Sequence, residues 1–250
     1  MRILLINVVL ACCLLALSGC FHEAVQPHRH VVFLIDESAS IEPASEQEAF
    51  KAITNAMLRA HRGDAFSVIP ITGDAEADVP GRILRLQCPF HREAYDQDLT
   101  RFRGQVRRSM QEFQAKALAH RGRRTDILGT IPVAAQEYDS DQPGTQQVLI
   151  IMSDFIQDDG VMDFAMSPAL CNVVTANAFA RRLAQGRHLP QPMHVFLGSL
   201  RSTDVKHLGQ ERRAPIVAFW KEYFAAIGGK TKFVVDGPSV TATYATAPAK

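Results

Sequence analysis

The stretch Val31-Val32-Phe33-Leu34-Ile35-Asp36-Glu37-Ser38-Ala39-Ser40 holds the start of the fold and a candidate site together. Its first five residues are apolar, three of them β-branched, with no alternation of polar and apolar positions. That is the pattern of a strand buried on both faces of a parallel sheet. The run stops at Asp36, and a D-x-S-x-S pattern follows at once. In an open α/β sheet, ligands bind beyond the carboxyl ends of the strands, where strand order reverses. Asp36, Ser38 and Ser40 are therefore candidate ligands, although the same residue types also cap helices and form turns.

Downstream, Ser45 followed by Glu48 predicts a capping box, and Phe50, Ile53, Met57 and Ala60 recur at helical spacing until Gly63. A strand is expected at 65–71, a polar turn at Asp74, Glu76 and Asp78, and a third strand at 83–87, close enough to the second for an antiparallel hairpin. Leu99, Phe102, Val106, Met110, Phe113 and Ala117 mark one face of a long helix. A helix containing Pro132 is expected from Thr125 to Tyr138, then a second unbroken apolar strand from Val148 to Met152 that ends at Ser153-Asp154. A helix at 173–183, a strand at 193–197, a helix with Val217, Trp220, Phe224 and Ile227, and a strand at 233–235 follow. Trp220 lies on an apolar stripe and is expected in the core. Strands alternating with helices predict an α/β fold with a mostly parallel sheet.

Thr125-Asp126 and Ser153-Asp154 complete the D-x-S-x-S pattern, and with these pieces in this order the chain resembles the von Willebrand factor type A family from Val31 to Asp236. The resemblance implies a Rossmann-like fold: a central, mostly parallel six-stranded sheet with one antiparallel edge strand and helices on both faces. It also implies a metal-ion-dependent adhesion site in which Asp36, Ser38, Ser40, Thr125 and Asp154 hold one divalent cation. Phe155 departs from the pattern, since many members place glycine after the Asp; this bears on the loop's shape and leaves the ligand in place. Five oxygen donors suit a hard cation such as Mg²⁺, with Mn²⁺ or Ca²⁺ as substitutes. Two carboxylates against three hydroxyls at most neutralise the ion, which keeps an affinity for an incoming acidic group. By the resemblance, the remaining position takes a Glu or Asp from a protein partner, or water.

A binding module rather than an enzyme is the expectation. The alternative is a metal-assisted phosphoesterase using Asp36 or Asp154 on the same fold. Against it, the chain has no Walker A motif, G-x-S-x-G elbow, H-E-x-x-H or C-x-x-C pair, and no histidine near the ligands in sequence. Arg101 to Arg124 holds eight basic residues against Glu112 alone, and Arg121, Arg123 and Arg124 run straight into Thr125. They either cover a solvated helix face or draw an acidic partner toward the site.

The N-terminus reads as a targeting segment: Arg2, an apolar run from Ile3 to Leu17 broken only by Asn7, then Ser18 and Gly19. Leu17-Ser18-Gly19-Cys20 resembles the lipobox of bacterial lipoproteins. It implies a signal peptide at 1–19, an acylated Cys20, a lipidated tether at 20–30 and a domain at 31–236 held close to the membrane. Phe21, in place of Asp, resembles the outer-membrane pattern, with the domain facing the periplasm. Residues 237–250 are expected to form a loose tail. Cys88 and Cys171 then remain in an oxidising compartment, either as a disulfide or as two buried thiols. Without residues 1–19 the chain holds 26 basic and 26 acidic residues, a balance that does not call for nucleic acid.

Overall fold

The computed structural model describes residues 28–89, 95–190, 193–234 and 239–241. The expected signal peptide, Cys20, the expected tether up to residue 27 and most of the expected tail lie outside them. In chain order the elements are β1 (Arg29–Asp36), α1 (Pro43–Leu58), β2 (Ala65–Ile71), α2 (Ala75–Asp78), β3 (Leu84–Gln87), α3 (Tyr95–Ala119), α4 (Ile127–Gln136), β4 (Gln146–Ser153), α5 (Val173–Ala184), β5 (Met193–Ser199), α6 (Thr203–His207), α7 (Gln210–Ala226) and β6 (Gly229–Val234).

The six strands form one sheet in the order β3-β2-β1-β4-β5-β6. β3 pairs antiparallel with β2 at one edge, and the other pairings are parallel. β1 is central, and Val31 to Ile35 are all 0% exposed. Val31, Phe33 and Ile35 pack in the layer with α1 and α3, while Val32 and Leu34 pack in the layer with α4, α5 and α7. Each such side chain contributes roughly 1.5–3 kcal/mol by leaving water, in keeping with a run that holds no polar residue. Trp220 is fully buried in the second layer, as expected.

The base of β1 is more firmly held than a tether would be. The strand starts at Arg29, whose guanidinium pairs with Asp64 at 2.6 Å, and His30 is buried. His30 Nδ1 lies 2.8 Å from Asp141 Oδ1, and its Nε2 lies 3.3 Å from Ser67 Oγ. Ser67 donates to Glu137, which Arg85 clamps with two further bonds.

Four sequence expectations are corrected. No capping box forms at Ser45: Glu42 is the N-cap residue and Pro43, whose fixed φ and missing N–H suit a helix start, opens the helix earlier. Ser45 Oγ instead accepts the Arg201 amide at 3.0 Å. The acidic turn is a single helical turn, capped by Asp74 accepting from Ala77 N at 3.0 Å. Val240, expected in the tail, is buried against the α1 and α3 layer. Cys88 and Cys171 form no disulfide. Cys88 is buried in the α1 and α3 layer, whereas Cys171 is exposed beside Leu170, which packs in the layer on the other side of the sheet.

Candidate metal centre at the strand switch point

The chain moves outward from β1 through β2 to β3, then returns to β4 on the other flank of β1. Strand order therefore reverses between β1 and β4, and their carboxyl ends flank the crevice in which such sheets bind ligands. Asp36 ends β1 and Ser153-Asp154 ends β4, in the register where Ile35 pairs with Met152.

Asp36 is 0% exposed. Its Oδ1 accepts the Ser38 amide at 2.9 Å, and its Oδ2 accepts the Ser153 hydroxyl at 2.6 Å. Ser38 and Ser40 bring their hydroxyl oxygens within 3.0 Å of each other. Asp154 Oδ1 accepts the Ile156 amide at 2.9 Å, while its buried Oδ2 has no partner at hydrogen-bond geometry, although the nearby Ser202 hydroxyl favours the charged carboxylate. Thr125 is buried and does not open a helix as expected. It forms a two-residue bridge with Asp158 through backbone bonds of 2.7 and 2.9 Å, and Asp126 caps α4. The Asp126 side chain closes on Gly129 N at 2.8 Å, where a Cβ would lie 2.0 Å from Asp126 Oδ2, so a larger residue would displace the capping carboxylate. The backbone bond from Ala39 N to Gly122 O, 2.7 Å, brings the Thr125 segment onto the D-x-S-x-S loop.

Burial raises the carboxyl pKa of Asp36, against the pull of its bonds to Ser153 and Ser38. Asp154 is pushed up to about 7, by burial first and by the charge of Asp36 second. Two buried carboxylates side by side, one with an orphaned oxygen, have too little positive charge of their own. Among the described residues, no three His, Cys, Asp or Glu side chains form a metal-holding group. A cation here would draw its shell from the two carboxylates and the hydroxyls of Ser38, Ser40 and Thr125, and the donor set fits a hard divalent ion.

The surroundings contain residues that the sequence did not reveal. Glu37 is buried and pairs with Arg82, and Glu46 is buried and pairs with Arg121. Burial raises both carboxyls, Glu37 to about 7, while each arginine opposes the rise. Arg121 is thus committed to an internal pair rather than to the rim, which corrects its expected role in steering a partner. Arg123 and Arg124 are exposed. From the β5 end, Thr203 N donates to Ser40 O at 2.9 Å, and the charge of exposed Asp204 raises both Asp36 and Asp154.

Phe155 adopts φ 65°, the left-handed conformation that glycine takes without strain. Its ring is buried against Phe233 and Trp220, at centroid distances of 5.5 and 6.1 Å, and its carbonyl accepts Trp220 Nε1 at 2.9 Å. The loop after Asp154 therefore has a glycine-like backbone despite the departure in sequence.

Six strands, parallel pairing and a single antiparallel edge are the architecture that the resemblance implied. The fold is a Rossmann-like α/β sheet with helices on both faces. Solved structures similar to the chain include a von Willebrand factor type A protein from Catenulispora acidiphila (15% identity, covering 87% of this chain and 41% of that one, TM-score 0.42). The ArnB paralog VWA2 from Sulfolobus acidocaldarius is similar at 13% identity, 87% and 44% coverage and TM-score 0.48. BatB from Bacteroides thetaiotaomicron is similar at 13% identity, 86% and 95% coverage and TM-score 0.45. The chain spans less than half the length of the first two. No protein-family model matches the sequence, and no curated protein matches it.

Proposed function

We propose that this chain is an envelope lipoprotein whose domain holds one divalent cation, Mg²⁺ or Mn²⁺ with Ca²⁺ as a substitute, and through it binds an acidic group of a protein partner. The cation sits among Asp36, Ser38, Ser40, Thr125 and Asp154. The observation that carries this reading is Asp154 Oδ2: a buried carboxylate oxygen with no partner at hydrogen-bond geometry, at the switch point, beside a second buried carboxylate. Such an oxygen is costly unless a positive group meets it. The cation neutralises the pair without exceeding its charge, so a further carboxylate can complete the shell. Cys20, acylated, anchors the protein in the outer membrane facing the periplasm, by the lipobox resemblance.

Thermal melting tests the metal. A ligand bound only by the folded state stabilises it by mass action, by about 2.7 kcal/mol at a hundredfold excess over Kd. The protein should melt higher in Mg²⁺ than in chelator, and Asp36→Ala should lose most of that difference; equal melting in both would refute the site. Cys20→Ser should release the protein from membranes, and fatty-acid label on that variant would show that another residue is modified.

A further inference from the structure

Among the described residues, five large apolar side chains are exposed: Leu118, Val161, Met166, Val173 and Val174. Scattered singly, they would need no explanation. All five belong to segments at the carboxyl-terminal end of the sheet. Leu118 is in the last turn of α3, just before the segment that carries Thr125. Val161 and Met166 lie on the connection that leaves β4 at Asp154, and Val173 and Val174 open the helix at its far end.

That connection is ordered by its own hydrogen bonds. Thr125 and Asp158 hold its base. Asp159 Oδ1 accepts the amides of Val161 and Met162, both at 2.7 Å, and Asp163 Oδ1 accepts those of Ala165 and Met166 at 2.8 and 3.3 Å. Gly160 has φ +85°, and a Cβ there would lie 2.4 Å from the Arg124 guanidinium, so Arg124 crosses the turn. Val161, 97% exposed, and Met166, 72% exposed, are therefore presented on fixed turns, and covering them costs little ordering entropy.

We infer that this apolar collar is the recognition surface of the metal site, and that it selects a protein segment whose carboxylate is flanked by apolar side chains. The inference rests on the metal reading above. The connection that bears Val161 and Met166 joins the site through the Thr125 and Asp158 bridge, and exposed Arg123 and Arg124 favour an acidic occupant. A bilayer fits less well. The chain enters β1 at Arg29, at the opposite end of the strand from Asp36, so an anchor ahead of Arg29 joins the domain roughly 25 Å from the site.

A random peptide library displayed on phage, panned on the intact protein in Mg²⁺, tests this. Selected peptides should carry an acidic residue beside apolar ones. A representative peptide should lose about tenfold in affinity for the Val161→Ser, Met166→Ser, Val174→Ser variant, as truncated contact residues do, while Mg²⁺ affinity and melting stay unchanged. Peptides that bind the variant as well as the parent would overturn the collar's role. Selected peptides that bind equally in chelator would refute the metal reading instead, a result the collar variant does not affect. Binding to phosphatidylglycerol vesicles that the variant loses would overturn the protein partner in favour of lipid.

Discussion

Ser153 joins the ends of β1 and β4: its hydroxyl donates to Asp36 Oδ2 at 2.6 Å while accepting the Phe155 amide at 2.9 Å. With the Ser38 amide on Oδ1, it fixes the orientation of the Asp36 carboxylate. Groups that orient metal ligands in this way typically cost about 10–100-fold in affinity when removed. Ser153→Ala should weaken Mg²⁺ binding by that range, measured by titration calorimetry, with Asp36 still present. Unchanged affinity would reduce Ser153 to a strand-end hydrogen bond.

The buried carboxyls predict a particular dependence on pH. Asp154 moves from 3.8 up to about 7 on folding, so between those values the metal-free folded state keeps a proton that the unfolded chain has released. Stability in chelator therefore falls as pH rises through that window. The proposed cation would take only the deprotonated form, so its stabilising effect should grow over the same range and level off above about 7. Melting curves with and without Mg²⁺ across the window check this; an increment that shrinks as pH rises would contradict it. Asp154→Asn should flatten part of the slope in chelator, and Glu37, raised to about 7 by its own burial, should account for more of it.

Phe155 combines a left-handed backbone with a buried ring. Phe155→Ala keeps the backbone cost and loses the packing, about 3–5 kcal/mol. Phe155→Gly loses the same ring but relieves roughly 1 kcal/mol of backbone strain. Denaturant unfolding should rank the variants Phe, then Gly, then Ala, and an Ala variant more stable than Gly would show that the strain is absent.

The three arginines before Thr125 should separate. Arg121→Ala leaves the Glu46 carboxylate buried without its partner, a loss of about 3–5 kcal/mol, visible in unfolding. Arg123→Glu with Arg124→Glu should change stability by no more than about 0.5 kcal/mol. That pair should instead slow association with an acidic partner, less so in high salt. A binding-rate series in salt on the double variant checks it.

Much of this was legible from local patterns. The unbroken apolar run at Val31 to Ile35 marks a strand buried on both faces, and the boundaries of β2 agree with Ala65 to Ile71. Asp36 and Asp154 fall at the ends of the two strands that flank the switch point. What was not legible depends on distant partners. Ser45 looked like a cap, but Arg201 holds its hydroxyl from the end of another strand. Arg121 looked like surface charge, but Glu46 faces it across the layer. Thr125 looked like a helix start, but Asp158 draws it into a bridge. None of these pairings leaves a period or spacing in the chain.

β1 enters the sheet at Arg29 and delivers Asp36 at its far end, with β2 hydrogen-bonded along one side and β4 along the other. Under the proposed function, a pull between a lipid anchor ahead of Arg29 and a partner held at the metal would run along this one strand. The load would fall as shear on two parallel ladders at once, with no edge to peel, and the base is pinned by the pairs of Arg29 and His30. Force applied between the two ends of β1 would therefore be shared by both neighbouring strands rather than taken by one edge.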